Sequence, residues 1–420
     1  MSDEPELHVG TAPVPDSVML SWRRAVELVF AEGDFRARPR SRADRPVREV
    51  WDYYHDEDPA ELLYLISSAE AVRARLRIQG YTSAYCEAVW YETRDELASR
   101  WRRQLERGEM RTTGPDISEM EAISYEGWLE MVRERHIEGP ASRSAGRHQP
   151  WQAINLLRSI SDPIVSLHLL LDALGGPVWL DCATLFDFEL NSSLTPHELL
   201  RRETEREGEW SGGRIIVLTE GRSDTRIISA ALRALHPGLA DAYQFLDFDE
   251  FRIEGGASPL ARMVKVLSGA RMGNRMLALF DNDAAGVEAM RSVSRLRLPR
   301  TVRLMALPDI ASARRYPTIG PGGRSRMDVN GAAASIELYL GRGALTDTDG
   351  ALLPVRWTEW RPQVGRYQGA VEGKDRVVAA FLSELSAEPR PGALRRRFPD
   401  MDRLLRAIFA AFEDLPPPIL

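Results

Sequence analysis

The sequence of 420 residues predicts an α/β domain with a parallel sheet, preceded by a mainly α-helical domain and followed by a small helical extension. The length suggests two or three domains. Apolar residues follow helical spacing through the first half, whereas short β-branched runs alternate with helical segments after Gly212-Gly213. The predicted parts are a partly ordered lead-in (1–50), the helical domain (51–210), the α/β domain (211–341) and a C-terminal extension (342–420).

The helical prediction for the first half rests on apolar spacing and on helix-ending residues. The apolar residues between 62 and 66 lie on one face of a predicted helix that Gly80 ends. Thr82 is placed to cap the next helix, which extends to about Arg107. We therefore expect one mainly helical domain here.

The α/β prediction rests on four short apolar runs separated by helical segments of about three turns. A β-branched run without polar alternation is typical of a strand buried on both faces. Alternating strands and helices form βαβ units with a parallel sheet, and ligands bind beyond the carboxyl ends of its strands. The four predicted strands are RIIVLTE (214–220), QFLDFD (244–249), RMLALFDND (275–283) and TVRLMALPD (301–309).

Acidic residues follow two of these strands. Glu220 ends the first strand, and Asp281 and Asp283 end the third. Two aspartates separated by one residue project to the same side of an extended chain. Together the three predict an oxygen-only site for Mg²⁺, with Mn²⁺ as the other candidate ion. The alternative is that such carboxylates form turns or cap helices, and for Asp224 both interpretations stay open.

The segments TEGRSD and LFDNDAAG resemble the Toprim domain of topoisomerases, primases, recombination proteins and overcoming-lysogenization-defect nucleases. The resemblance implies a Rossmann-like parallel sheet and magnesium-dependent making or breaking of phosphodiester bonds. It also implies that Glu220 doubles as a general acid or base, and that Asp224 adds a metal ligand, as in the nuclease branch.

Two residues further along the chain extend this predicted site. Glu337 resembles a carboxylate that the nuclease branch uses for a second metal; its alternative is an acidic first-turn residue favoured by the helix dipole. Lys374 is one of only two lysines among 55 basic residues, and near such a cluster it would stabilise charge on a phosphate or leaving oxygen. Its alternative is a solvent-facing residue at a helix start.

Further segments give a wider resemblance, to bacterial HEPN/Toprim-associated domain proteins, over most of residues 50–385. It implies a role in defence against foreign nucleic acid. The segments are RLRIQGYTSAYCEAVWYE (75–92), GGASPLARMVKVL, YPTIGPGG, NGAAASIELYLG and YQGAVEGK.

The leading functional prediction is a metal-dependent nuclease that hydrolyses phosphodiester bonds in DNA, with RNA as the other substrate. One alternative is a non-catalytic Toprim module that binds nucleic acid or protein. Another is a metal-independent HEPN-type ribonuclease, because Arg143 and His148 have the R-x4-H spacing of those enzymes. Whether the chain forms a homo-oligomer or needs a partner protein stays open.

Composition excludes several other classes. A net charge of −7 argues against a broadly basic nucleic-acid coat, although a local groove is compatible with it. No apolar run reaches the roughly 20 residues of a membrane span, and the acidic N-terminus is unlike a secretory signal, so we expect a cytoplasmic protein.

Cys86 and Cys182 are predicted as core residues. No lysine follows a Walker A pattern, which disfavours an ATPase.

Overall fold

The chain forms two compact units in the computed structural model. The N-terminal unit comprises Met1–Trp210 together with Glu413–Leu420, and the α/β unit comprises Ser211–Phe412. The structure describes residues 6–15, 22–54, 61–108, 114–137, 156–182, 194–200, 214–246, 248, 253–270 and 274–417.

The N-terminal unit contains a five-stranded sheet as well as helices. The strand order is β2-β1-β5-β4-β3, and every neighbouring pair is antiparallel. The strands are β1 (Leu7–Val9), β2 (Ala12–Pro13), β3 (Phe35–Arg38), β4 (Leu62–Ser67) and β5 (Val178–Asp181). The helices with described bounds are α1 (Trp22–Val29), α2 (Arg45–Tyr54), α3 (Ala69–Ile78), α4 (Ser83–Glu106), α5 (Gly114–Ala122), α6 (Tyr125–Ile137) and α7 (Pro163–Leu174).

Helix α7 lies at the centre of this unit. Asp162 caps it by accepting a hydrogen bond from the backbone N–H of Ile164 (2.9 Å), and Pro163 occupies its first turn, where no N–H is needed. Gly175 ends it in the left-handed conformation (φ 67°). Ten of its twelve residues are buried, which is the pattern of a helix surrounded by core on all sides.

The prediction of a mainly helical first half is wrong in one respect, because it omitted this sheet. Residues 1–50, predicted as a lead-in, supply three of its five strands. Residues 62–66, predicted as helical, form β4, which pairs with β3 on one side and β5 on the other. A short apolar run is compatible with a buried strand and with one face of a helix. Residues 62–66 form a strand because they pair with a neighbouring strand on each edge. The helix begins only at Ala69, capped by Ser68.

The α/β unit contains the predicted parallel sheet. Its order is β10-β8-β6-β7, and all three neighbouring pairs are parallel. Each strand falls within or overlaps a predicted run. The strands are β6 (Ile215–Leu218), β7 (Tyr243–Phe245), β8 (Met276–Phe280) and β10 (Val302–Ala306), with β9 (Asn282–Asp283) directly after β8. The connecting helices are α8 (Arg222–Leu235), α9 (Ala257–Gly269) and α10 (Ala284–Ser294).

The rest of this unit contains strands as well as helices, whereas the C-terminal extension was predicted to be helical. A second sheet of order β12-β11-β14-β15 includes strands from both sides of residue 342. Its strands are β11 (Tyr316–Gly320), β12 (Gly323–Met327), β14 (Val355–Arg361) and β15 (Arg366–Val371), and β13 (Ala333–Ala334) pairs with β9. The helices are α11 (Gly341–Ala344), α12 (Lys374–Ala387), α13 (Pro391–Arg397) and α14 (Pro399–Phe409). Residues 342–412 therefore share one compact unit with the parallel sheet.

Within the described part of the chain, no helix combines the length and apolarity that crossing a membrane requires. Cys86 and Cys182 are both buried and unbonded, which confirms their prediction as core residues.

Candidate functional site

Glu220 and Asp281 meet at one edge of the parallel sheet. Strands β6 and β8 are parallel neighbours, with Leu218 opposite Ala278, so the residues that follow them emerge side by side. The carboxylate oxygen Oε1 of Glu220 accepts a hydrogen bond from the backbone N–H of Asp281 at 2.9 Å. The topology of the sheet thus joins two residues that are 61 positions apart in the chain.

Gly286 allows this approach. A Cβ atom at residue 286 would lie 2.3 Å from the carbonyl oxygen of Asp281 and 3.0 Å from Oε1 of Glu220. The first distance is far inside van der Waals contact with backbone that cannot move aside. A glycine after the small residues Ala284-Ala285 is therefore a steric requirement of the site.

Asp283 precedes α10 and has hydrogen-bond partners for both of its carboxylate oxygens. Oδ1 accepts from the backbone N–H of Gly286 at 2.7 Å, which makes Asp283 the N-cap. Oδ2 accepts from Nε2 of Gln368 at 2.5 Å, and Oε1 of Gln368 accepts from the N–H of Ala285 at 2.9 Å. Asp283 thus has a structural role in addition to its place beside Asp281.

Asp224 lies in the first turn of α8, three residues after the N-cap Gly221. Its carboxylate accepts a hydrogen bond from the backbone N–H of Gly221, so it has a capping role in addition to its place beside the other acidic groups. The carboxylate of Asp224 lies among the other acidic groups. Burial raises its pKa to about 7, with a further rise from the charge of Glu337 that Lys374 opposes.

Glu337 and Lys374 come from opposite sides of residue 342 and form an ion pair. Nζ of Lys374 lies 3.2 Å from Oε1 of Glu337, and the hydroxyl of Ser335 donates to Oε2 of Glu337 at 2.5 Å. Glu337 is only 3% exposed, in a short 3₁₀ helix (Ile336–Tyr339), whereas the side chain of Lys374 keeps 42% of its exposure. Burial alone would lower the pKa of Lys374, but Glu337 and Asp281 outweigh it and raise that pKa.

Asp281 is at the centre of this arrangement. Its Oδ1 accepts from the backbone N–H of Ile336, the residue before Glu337, at 3.2 Å. Burial raises its pKa well above the ordinary value, and four neighbouring carboxylates raise it further. We call the acidic residues that interact here the carboxylate cluster: Glu220, Asp224, Asp281, Asp283 and Glu337.

The pKa of Glu220 shows the same electrostatic situation. Burial raises it to about 8, and the charges of Asp283 and Asp224 add to that effect. The N–H of Asp281 and the charge of Lys374 act in the opposite direction. Negative charge is therefore concentrated beyond what Lys374 neutralises.

No protein-family model, no curated protein and no solved structure matches this chain. The site must therefore be interpreted from its own chemistry.

The cluster fits a divalent cation in the chemistry of its donors, which are hard oxygen atoms carrying excess negative charge. Their present arrangement is not a finished coordination shell. Across the described ranges, no group of three or more His, Cys, Asp or Glu side chains is placed to hold a metal ion. Glu220 and Asp281 each use one oxygen to accept a backbone N–H, which leaves the second carboxylate oxygen of each to face an ion.

Three supporting features of the site were not predicted from the sequence: Gln368, Ser335 and the hydrogen bond between buried Asn282 and exposed Asp309. Nδ2 of Asn282, in the middle of the D-N-D segment, donates to Oδ1 of Asp309 at 2.7 Å and anchors that segment. These residues are neutral or lie far from the acidic motifs in the chain, and they belong to no motif of their own. Only the adjacency of β8 to β10 could have indicated that Asp309 lies near the D-N-D segment. Arg143 and His148, the alternative ribonuclease pair, lie outside the described residues.

Proposed function

We propose that this protein is a magnesium-dependent nuclease that hydrolyses phosphodiester bonds in DNA, with RNA as the second substrate to test. The observation that carries the proposal is the carboxylate cluster at the carboxyl edge of a parallel sheet, where Lys374 is the cation that lowers the pKa of Glu220 and Asp224. Strongly perturbed carboxylates at such an edge are typical of functional sites. The resemblance of TEGRSD and LFDNDAAG to Toprim domains supports the same chemistry.

Glu220, Asp281 and Asp283 would hold the first cation, and Asp224 and Glu337 would support a second. Such an ion, when bound, polarises the phosphate and stabilises charge on the attacking or leaving oxygen. Manganese can replace magnesium at an oxygen-only site.

The protein's own groups contribute orientation and charge. The N–H of Asp281 holds Glu220 beside the cluster, and the cap of α10 together with Gln368 fixes Asp283. The partly exposed ammonium of Lys374 is placed to stabilise negative charge on a scissile phosphate or its leaving oxygen. Burial and the neighbouring carboxylates raise the pKa of Glu220 to about 8 in the absence of an ion, which suits it to general acid or base catalysis.

A second candidate function is a non-catalytic nucleic-acid-binding module. The observation that favours it is that both oxygens of Asp283, and one oxygen each of Glu220 and Asp281, already accept hydrogen bonds from the chain. In that case the carboxylates would serve to hold the sheet edge together.

A cleavage assay separates the two functions. Purified wild type, Asp281→Asn and the exposed-carboxylate control Asp349→Asn are incubated with plasmid, single-stranded DNA and RNA, each with Mg²⁺, Mn²⁺ or chelator. Cleavage that needs metal, persists in Asp349→Asn and disappears in Asp281→Asn is the expected result. Nucleic-acid binding without metal-dependent turnover would support the binding module instead, and RNA cleavage in chelator would direct attention to Arg143 and His148.

A further inference from the structure

An open groove of about 920 Å³ lies in the α/β unit, between α8, the edge strand β7 and α12. Four arginines line it: Arg214 precedes β6, and Arg222, Arg226 and Arg233 lie along α8. The spacing of the three helical positions, four and seven residues, places them on one face. From first to last they span about 16 Å at 1.5 Å per residue.

Three of these arginines are without an ionic partner. Within the part of the chain that the structure describes, no carboxylate lies within ion-pair distance of Arg214, Arg226 or Arg233. Arg361 of the same unit is paired instead, since it lies 3.1 Å from Glu288. Three guanidinium groups without an ionic partner along one groove form an electrostatic site for anions.

No residue of the carboxylate cluster lines the groove, but two residues of the site are next in the chain to lining residues at the first turns of α8 and α12. At one end, Arg222 and Ser223 directly precede Asp224 in the chain. On the opposite wall, Asp375 follows Lys374 at the start of α12. Among the described residues of the lining, Asp375 is the single acidic one, so those residues carry more positive than negative charge.

The other surfaces of the groove are apolar or neutral. Val378, Ala379 and Leu382 of α12 face it, and Gln244 and Phe245 of β7 form part of its lining. A wall of guanidinium groups opposite an apolar wall suits a ligand with a charged backbone and flat apolar bases. A double helix presents charge on its outside and does not expose the faces of its bases.

We propose that this groove binds the phosphodiester backbone of a single strand of nucleic acid and leads it to the carboxylate cluster. The inference rests on the proposed function for its direction, since the cluster is where the strand would be cut. It also answers an electrostatic problem, because a cluster of carboxylates in a chain of net charge −7 repels phosphate. Arginines beside the cluster supply the attraction that the cluster lacks.

The test measures binding separately from cleavage. Fluorescence anisotropy in chelator follows a labelled single-stranded 20-mer DNA, the same sequence as RNA, and the corresponding duplex. The full-length Arg226→Gln/Arg233→Gln variant is expected to bind both single strands at least 10-fold more weakly than wild type in about 0.1 M salt. Removing two phosphate contacts should also make the slope of log K against log salt shallower by about 1.4.

The matched control removes the same charge elsewhere. Arg295 and Arg297 are exposed residues after α10 and do not line the groove. The Arg295→Gln/Arg297→Gln variant should retain wild-type affinity within about 2-fold. Equal weakening in both double variants would show that overall charge, not the groove, is responsible, and would overturn the proposal. So would tighter binding of the duplex than of either single strand.

Failure of this inference is distinguishable from failure of the nuclease proposal. Asp281→Asn should bind single strands at least as tightly as wild type, because it adds no negative charge and does not touch the groove. Groove-dependent binding with no cleavage in any metal would uphold the groove and reject the nuclease. If cleavage at subsaturating substrate is unaffected by Arg226→Gln/Arg233→Gln, the nuclease proposal is upheld and the groove proposal is rejected. Melting curves of every variant confirm that the exposed substitutions leave the fold intact.

Discussion

The two units of this protein bury charge in opposite ways. In the N-terminal unit, Arg75 is 5% exposed and its Nη1 atom lies 2.9 Å from Oδ2 of Asp34. The same nitrogen donates to the carbonyl oxygen of Val29 and to the hydroxyl of Ser67. In the α/β unit, five carboxylates crowd together, and Lys374 is the cation that opposes their charge.

The pKa shifts follow this difference. Burial opposes ionisation of Asp172 in the N-terminal unit, but His168, Tyr125 and Arg73 outweigh it and hold the pKa of Asp172 below its ordinary value. In the carboxylate cluster, the pKa of Asp281 is raised well above its ordinary value. Removing one partner of a buried ion pair destabilises a fold, whereas buried carboxylates without enough neutralising charge themselves cost stability.

The largest effect is expected from Asp281→Asn. The amide keeps the shape of the side chain but removes the charge that the four other carboxylates repel. Metal-dependent cleavage should fall by about 10³-fold or more, whereas thermal stability in chelator should rise. Cleavage assays and differential scanning calorimetry measure the two effects on the same preparations.

Asp349→Asn controls for the loss of one carboxylate, since Asp349 is an exposed turn residue of the same unit. It should change neither activity nor stability. If Asp281→Asn instead lowered stability, the cluster would be a structural network like that of Asp172, and the contrast between the units would be lost.

The next effect is on stability alone. Arg75→Met leaves Asp34 partly buried without its cation and should destabilise the N-terminal unit by about 3 kcal/mol. Arg77→Met, on the same helix, is the matched control, because Arg77 is 59% exposed in its pair with Glu413. That exposed pair should contribute less than about 1 kcal/mol. Urea titrations compare the two, and equal losses would show that Arg75 acts through packing instead of charge.

The helices and strands that follow from local patterns of apolar residues were predictable from the sequence. The four parallel strands and their helices follow from β-branched runs and helical spacing, and the order of the strands brings Glu220 to Asp281. Strand β4 was not predictable, because residues 62–67 form a strand through pairing with β3 and β5, which lie far away in the chain. Local spacing there is equally compatible with a helix.

The residues of the site also divide into those that local sequence indicates and those that only tertiary contacts bring together. Glu220, Asp281 and Asp283 follow strands and were found from their positions; Glu337 was singled out by resemblance and Lys374 by its rarity. Gln368 was not singled out, since a neutral side chain 85 residues from Asp283 carries no chemical signal in the sequence. Residues that orient ligands are determined by tertiary contacts, which is why the supporting partners were missed.

The pH dependence of stability should also separate the two units. The pKa values of Glu220, about 8, and Asp224, about 7, lie above the ordinary values of 4.5 and 3.8. The folded protein therefore binds more protons than the unfolded chain in this range, and stability falls as pH rises through the raised pKa values. From pH 5 to pH 8 in chelator, the free energy of unfolding should therefore fall steadily.

Calorimetry at pH 5, 6, 7 and 8 checks this expectation, and the transition that Asp281→Asn shifts identifies the α/β unit. Mg²⁺ should restore more stability at pH 8 than at pH 5, because ionised carboxylates bind it better. In the N-terminal unit, the lowered pKa of Asp172 has the opposite sign, so that unit should lose stability as pH falls toward acid. A metal effect that is equal at all pH values would contradict the assignment of the cluster as its site.

The smallest effect is expected at Gln368, which tests whether the cluster is positioned as well as charged. Its amide donates to Oδ2 of Asp283 and accepts from the N–H of Ala285, so it fixes the orientation of one proposed ligand. Gln368→Leu keeps most of the volume and removes both hydrogen bonds. The Mg²⁺ concentration for half-maximal cleavage should rise about 10-fold, in line with the loss of a partner behind a metal ligand. A purely structural role would lower maximal activity and stability while leaving that midpoint unchanged. Rescue by Gln368→Asn is not expected, because the shorter side chain cannot span from Asp283 to Ala285.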